Sequence, residues 1–245
     1  MVDFNNAAGR LYTVLKDLKS KETNMTIQHA LADMFNVDRN DIEQLLILNA
    51  EIVKLMEEAK ELVLKQNVDH DLFLKPFVKI QRVFALGLNY QVQNTLEFLD
   101  PATMTGLEHC AELLSRTAKE NIIEEATLQN LLHEISQLEK NVSESAINDD
   151  LKSLILDNLL EIKQAIQYYK IHGMKGIEKA VKNSLGSVQF FTFNNPVIEI
   201  KNEKAQKTVL DYISFIADLL SIVSVGLNIP MLKENISAFL LGAGK

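Results

Sequence analysis

Apolar residues recur at intervals of three and four along almost the whole chain, the spacing that lines one face of an α-helix. Leu11, Val14, Leu15 and Leu18 form a first stripe, and Ile27, Leu31, Met34 and Phe35 a second, behind a candidate cap at Thr26. A long third helix is predicted through Ile42, Leu45, Ile52, Leu55, Met56, Ala59, Leu62 and Val63, reaching Gln66. Leu72, Phe77, Ile80, Val83 and Phe84 follow, with Pro76 tolerated in a first turn. Asp100-Pro101 reads as a helix start, because an aspartate cap and a proline with fixed φ suit the orphan amides there. That helix is predicted to run to Ala118. Leu128, Leu131, Leu132, Ile135 and Leu138 mark the next helix. Leu151, Leu154, Ile155, Leu159, Ile162, Ile166 and Tyr169 mark a longer one, capped by Asn148 and stopped by Gly173. Lys170 and His172 sit at its negative end. A short helix is predicted from Met174 to Leu185, ending at Gly186.

The pattern changes once. Val188 to Ile200, with Phe190-Phe191-Thr192-Phe193 and Val197-Ile198-Glu199-Ile200 around Asn194-Asn195-Pro196, is β-like and reads as a hairpin or extended linker. The expected fold is therefore all-α, a multi-helix bundle with a short β-like connector and an apolar C-terminal helix. Residues 1–186 would form an acidic helical bundle, with a sub-boundary near 88–99. Residues 187–202 would be the connector and 203–245 an apolar helical module. No internal repeat at a fixed period is present.

Between Tyr212 and Leu232 the only charged residue is Asp218, and the 21 residues would span about 31 Å as a helix, close to the thickness of a bilayer's hydrocarbon core. Transfer of its Ile, Leu, Phe and Val residues contributes roughly −3 to −6 kcal/mol, against about 2.5 to 3.5 for a central aspartate. Asn228, Pro230 and the serines add to that cost, so insertion is near balance. Ser214, Asp218, Ser221, Ser224 and Asn228 draw a narrow polar stripe on this helix. The stripe would face solvent if the rest packs into a core, or a lumen or neighbouring helix in a membrane assembly. Tyr212, Phe215, Ile216, Asp218, Leu219, Leu220, Ile222, Val223 and Asn228 are the candidate membrane or docking face.

Charge narrows the partners. The 245-residue chain carries a net charge of −8, the wrong sign for a protein that grips phosphate backbones, and a nucleic-acid role is disfavoured. Residues 203–245 are charge-neutral, so the excess lies in 1–202. Hydrophobic residues at 47% and charged residues at 24% exclude a disordered chain. One cysteine, Cys110, excludes an intramolecular disulfide and four-cysteine metal sites, and fits a reducing compartment. Met1 to Asn6 carries an acid where a secretory leader needs basic and then apolar residues. A cytoplasmic location is expected, with membrane attachment from that side as the alternative.

Catalytic patterns fail one by one. None of His29, His70, His109, His133 and His172 has a histidine four residues away or a carboxylate three residues before it. His70-Asp71 resembles the dipeptide of HD-type metal phosphohydrolases, but lies in a polar run that suits a helix start. His109 and Cys110 are helical neighbours about 100° apart and do not form a base–nucleophile pair. Gly242-Ala243-Gly244-Lys245 resembles the end of a phosphate loop, yet Phe239 occupies the first glycine's place. The arginine-to-histidine spacing of HEPN ribonucleases is missing. No catalytic residue, metal or cofactor is expected, and a metal-dependent hydrolase using His70 and Asp71 is the weakest alternative.

Ala32 to Leu45 resembles a helix-turn-helix, with Phe35-Asn36-Val37 at the turn and asparagine suited to a left-handed position. Its second helix presents Asp38, Arg39, Asn40, Asp41, Glu43 and Gln44, which repel phosphates. A plain helix corner, or an acidic surface for a basic partner, fits better.

Asp69 to Pro76, Leu107 to Ser115 and Leu159 to Gly173 resemble segments of uncharacterised all-helical bacterial proteins, some from mobile or defence-related gene neighbourhoods. The resemblance implies a bacterial source and supplies no functional residue. The expected function is a non-enzymatic helical protein with a membrane-associating or docking module at its C-terminus, in the manner of a defence or toxin-type effector. The alternative is a soluble interaction or immunity-type protein whose acidic face neutralises a basic partner. A protein partner or self-association is expected in both.

Overall fold

A computed structural model describes residues 5–117, 122–195 and 202–223. Among them all regular structure is helical, apart from an isolated antiparallel bridge between Thr26 and Gln91. The fold is all-α. The chain divides into two compact units, one running to Ile122 and including Gln167–Gly173, the other formed by Ile123–Ile166 and the residues from Met174.

The first unit is built around α1, Ala7–Lys19, whose apolar face is buried from Ala7 to Leu18. Asn6 caps it by accepting from the Gly9 amide at 3.0 Å. The same side chain donates to the Ala111 carbonyl at 2.9 Å, which ties the cap of α1 to a neighbouring helix. α2, Ile27–Phe35, starts at the Thr26 hydroxyl and ends at Asn36, the residue that turns left-handed with φ 53° and ψ 48°. α3, Ile42–Leu64, is capped by Asp41 and buries Leu45, Leu48, Ile52, Leu55, Met56, Ala59 and Val63. α4, His70–Phe73, and α5, Lys75–Ala85, follow, and a 3₁₀ turn covers Val92–Thr95. α6, Pro101–Ser115, begins at Asp100, which accepts from the Thr103 amide at 2.7 Å and pairs with Lys79. Lys79 and the Thr103 amide hold the Asp100 carboxyl well below the usual carboxylate range. α6 crosses α5 so closely that a Cβ placed on Gly106 would lie 2.5 Å from Pro76 Cγ.

Residues 88–99 form no boundary. The Ile27 amide donates to Tyr90 at 2.8 Å, the Val92 amide donates to Met25 at 2.8 Å, and Val92, Thr95 and Leu99 are buried. A polar segment with little helical period is thereby fixed in the first unit by backbone pairing, which leaves no periodic signal.

The second unit contains α7, Glu125–Glu144, α8, Asp149–Gln167, the part of α9, Tyr169–Asn194, that follows Gly173, and α10, Glu203–Val223. Asn148 starts α8 by accepting from the Asp150 and Leu151 amides. Gly173 interrupts α9 with φ 59° and ψ −154°, a combination that a side chain disfavours. The helix expected to run to Gly173 already ends at Gln167, and the break at Gly173 falls inside α9.

α9 does not end at Gly186, and residues 188–194 are helical rather than β-like. Ile177, Val181, Ser184, Val188 and Thr192 are all buried at steps of four, three, four and four. This stripe overrides the strand propensity of the phenylalanines, two of which, Phe190 and Phe193, are exposed. Val197–Ile200 lie outside the described residues. Helix thus continues across the division placed at 186/187, and the chain divides instead after Ile122 and at each end of 167–173.

Candidate functional site

α10 packs on α7 within the second unit, and most of the candidate docking face is buried there. Tyr212, Phe215, Ile216, Leu219 and Leu220 are each at most 3% exposed. Ile222 and Val223 are half-buried, Asp218 is exposed, and Asn228 lies outside the described residues. The hydroxyl of Tyr212 accepts from Asn158 Nδ2 at 2.9 Å, and Asn158 Oδ1 accepts from the Ser187 hydroxyl at 2.9 Å. This polar relay joins α8, α9 and α10. Burial pushes the Tyr212 phenol well above its ordinary range, so it stays neutral. On the opposite side of α10, Asp218 and Ser221 face solvent, and Ser224 and Asn228 of the same stripe are outside the described residues. Among the described residues no helix is long and apolar enough to cross a membrane.

Within the second unit, α7 and α8 concentrate the acids. Residues 124–161, which cover α7, the turn and most of α8, hold nine acids and two bases. This excess is nearly the whole of the chain's net charge of −8. Lys163 neutralises Glu139 at 2.9 Å, and Asn183 donates to Glu161 at 2.5 Å. Glu134, Glu144, Asp150 and Asp157 are exposed. Asp218 adds to the same potential from α10. Partial burial and the Asp218 carboxylate raise the Glu134 carboxyl above its ordinary value. The acids of α7 and α8 are countable in the sequence, but residues 1–186 taken as one bundle mix them with flanking charges that together nearly balance.

A second polar cluster lies in the first unit, where Tyr168–Gly173 meets α1 and α3. Arg10, 6% exposed, donates from Nε to the Ile171 carbonyl at 2.9 Å and from Nη1 to the Asn5 carbonyl at 2.6 Å. It also approaches Glu58 at 3.8 Å. His172 Nε2 lies 3.5 Å from Glu51, and burial lowers the pKa of its imidazole more strongly than Glu51 raises it. Gln44 donates to the Tyr168 hydroxyl at 3.1 Å, and Tyr168 meets the Phe35 ring edge-on. Arg10 is committed to main-chain carbonyls, so the cluster ties a returning segment of chain to the helices.

The remaining candidates occupy ordinary places. His70 Nε2 contacts the Gln66 carbonyl at 2.9 Å and Asp71 is exposed, beside the Asp69 cap of α4. Cys110 is buried with its thiol 3.3 Å from the Phe73 carbonyl, and desolvation pushes its pKa up to about 12. Such a thiol is not a nucleophile at neutral pH. Among the described residues no group of three or more His, Cys, Asp or Glu is placed to hold a metal ion. Comparison with protein-family models, curated proteins and solved structures finds no match, so the functional reading rests on these surfaces.

Proposed function

We propose that this chain is a non-enzymatic interaction protein that binds a basic protein partner through the acidic face of α7 and α8. The observation that carries the reading is the charge of residues 124–161, nine acids against two bases, most of them exposed. An unbalanced field of this kind accelerates encounter with a cationic partner and rejects anionic ones. Asp218, exposed on α10, adds its negative potential at Glu134. Burial of Tyr212, Phe215, Ile216, Leu219 and Leu220 supports a core role for α10 as far as Val223, in preference to a membrane or docking face. An immunity-type protein that neutralises a basic effector is the biological setting this favours.

The test measures binding of the full chain to a lysine homopolymer at low and high salt. The comparison is between a variant neutralised on the hairpin (Glu134→Gln, Glu144→Gln, Asp150→Asn, Asp157→Asn) and one with four exposed acids neutralised elsewhere (Glu22→Gln, Glu61→Gln, Asp71→Asn, Glu97→Gln). Salt-sensitive binding that only the hairpin variant weakens supports the reading. Equal weakening by the two variants, or binding indifferent to salt, refutes it.

A further inference from the structure

The corner between α2 and α3 carries a surface that the acidic hairpin leaves unexplained. Leu45, Leu48 and Ile52 turn into the core of the first unit, as expected for the inner face of α3. The opposite side of the same turns is not polar. Ile42, Leu46 and Ile47 are 47%, 55% and 49% exposed, and Ala50 beside them is exposed as well. Ile42 and Leu46 are one turn apart on one face, and Glu43, Ile47 and Ala50 flank them. Single exposed aliphatics are common on any surface, but three large ones within two turns form a contiguous patch.

Acids frame this patch. Asp38, Asp41 and Glu43 are exposed at its N-terminal end. The cations that flank it in sequence are engaged: Arg39 holds Asp33 through two contacts to Oδ1 and one to Oδ2, and Lys54 holds Glu51 at 2.6 Å. The corner thus combines aliphatic area with three exposed acids that these cations do not pair with, two of which, Asp38 and Asp41, also accept the Asn40 and Gln44 amides.

We infer that the first turns of α3 are a docking surface for a basic amphipathic helix of a partner protein, with its apolar face on Ile42, Leu46 and Ile47 and its lysines or arginines on Asp38, Asp41 and Glu43. This rests on the reading that the chain binds a basic protein, and adds a second surface that selects shape as well as charge. Charge complementarity decides among occupants. A second copy of the chain would bring the same three acids against one another, and anionic lipid headgroups would be repelled by them.

The test uses the full chain and two synthetic peptides of identical composition. One has leucines at helical i, i+3, i+4 and i+7 positions with lysines opposite, and the other has the same residues permuted so that no apolar face forms. The amphipathic peptide is expected to bind about tenfold more tightly than the permuted one, and Leu46→Lys is expected to abolish that preference. Leu46→Ser, which adds no charge, should weaken it in the same direction, and circular dichroism checks that both variants fold. Equal binding of the two peptides, or a preference that survives both Leu46 variants, overturns the proposal. If the hairpin neutralisation alone removes binding of both peptides, the α3 surface fails while the acidic reading stands. If neither peptide binds at low salt, both fail. Sedimentation that shows the chain self-associating through Leu46 would assign the patch to a second copy and overturn the proposal.

Discussion

Asn158 and Tyr212, 54 residues apart in the chain, share a buried hydrogen bond of 2.9 Å in which the amide donates to the phenolic oxygen. Asn158 also accepts from Ser187, so its amide is satisfied at both ends by side chains. Tyr212→Phe removes the acceptor and leaves the Asn158 amide buried without it. A destabilisation of about 1 to 3 kcal/mol is expected, read by denaturant unfolding. Tyr212→Ala also opens a cavity in the second unit, at about 3 to 5 kcal/mol. A Tyr212→Phe variant as stable as the parent would mean that the relay does not hold α10 in place.

Gly173 and Gly106 are required for different reasons. At Gly173 the backbone occupies φ 59° and ψ −154°, so Gly173→Ala is expected to cost about 1 to 3 kcal/mol through strain alone. At Gly106 the obstacle is Pro76, and Gly106→Ala is expected to cost about 1 to 3 kcal/mol by forcing α5 and α6 apart. Gly186 has open space around it and no such constraint, so Gly186→Ala should raise stability slightly and serves as the control.

His172 makes stability fall on acidification. Burial lowers its pKa below 6.5, Arg10 and Lys54 act in the same direction, and Glu51 and Glu58 oppose them. The unfolded chain therefore takes up this proton first as pH drops, so the stabilisation is complete above about pH 6.5 and is lost as pH falls toward the folded value. His172→Gln should flatten the stability profile in that window, measured by thermal unfolding across pH. An unchanged slope would refute the assignment.

Glu134 has the opposite sign. Its folded pKa is raised above 4.5, chiefly by desolvation and further by Asp218, so the folded state binds the proton more readily than the unfolded chain. Protonation thus stabilises fully below pH 4.5, and that contribution is lost as pH rises through the folded value. Glu134→Gln should be more stable than the parent at pH 7, with the difference shrinking as pH falls to 4.5. The same substitution should weaken cationic binding, which separates a cost in stability from a gain in recognition.

Cys110 should resist thiol reagents while the protein is folded. Its thiol is buried, and its pKa is raised to about 12. Alkylation with iodoacetamide is expected to follow global unfolding rather than pH, and fast labelling of native protein would show that the α4–α6 region opens locally.

Local signals in the sequence set the helices of this protein. Thr26, Asp100, Asn148 and Gly173 mark boundaries because a cap or a left-handed turn depends on one side chain and its immediate neighbours. The charge of the chain and the weakness of its catalytic motifs are likewise properties of composition and spacing. Tertiary packing decided what those signals left open. The phenylalanines at 190–193 carry strand propensity, yet Val188 and Thr192 complete a buried helical stripe begun at Ile177, and packing outweighs propensity. The apolar run from Tyr212 reads by composition as near balance between lipid and a core, and the residues that bury it as far as Val223, Asn158 and α7, lie far away in sequence. Burial is a relation between distant segments, so no single stretch of chain records it.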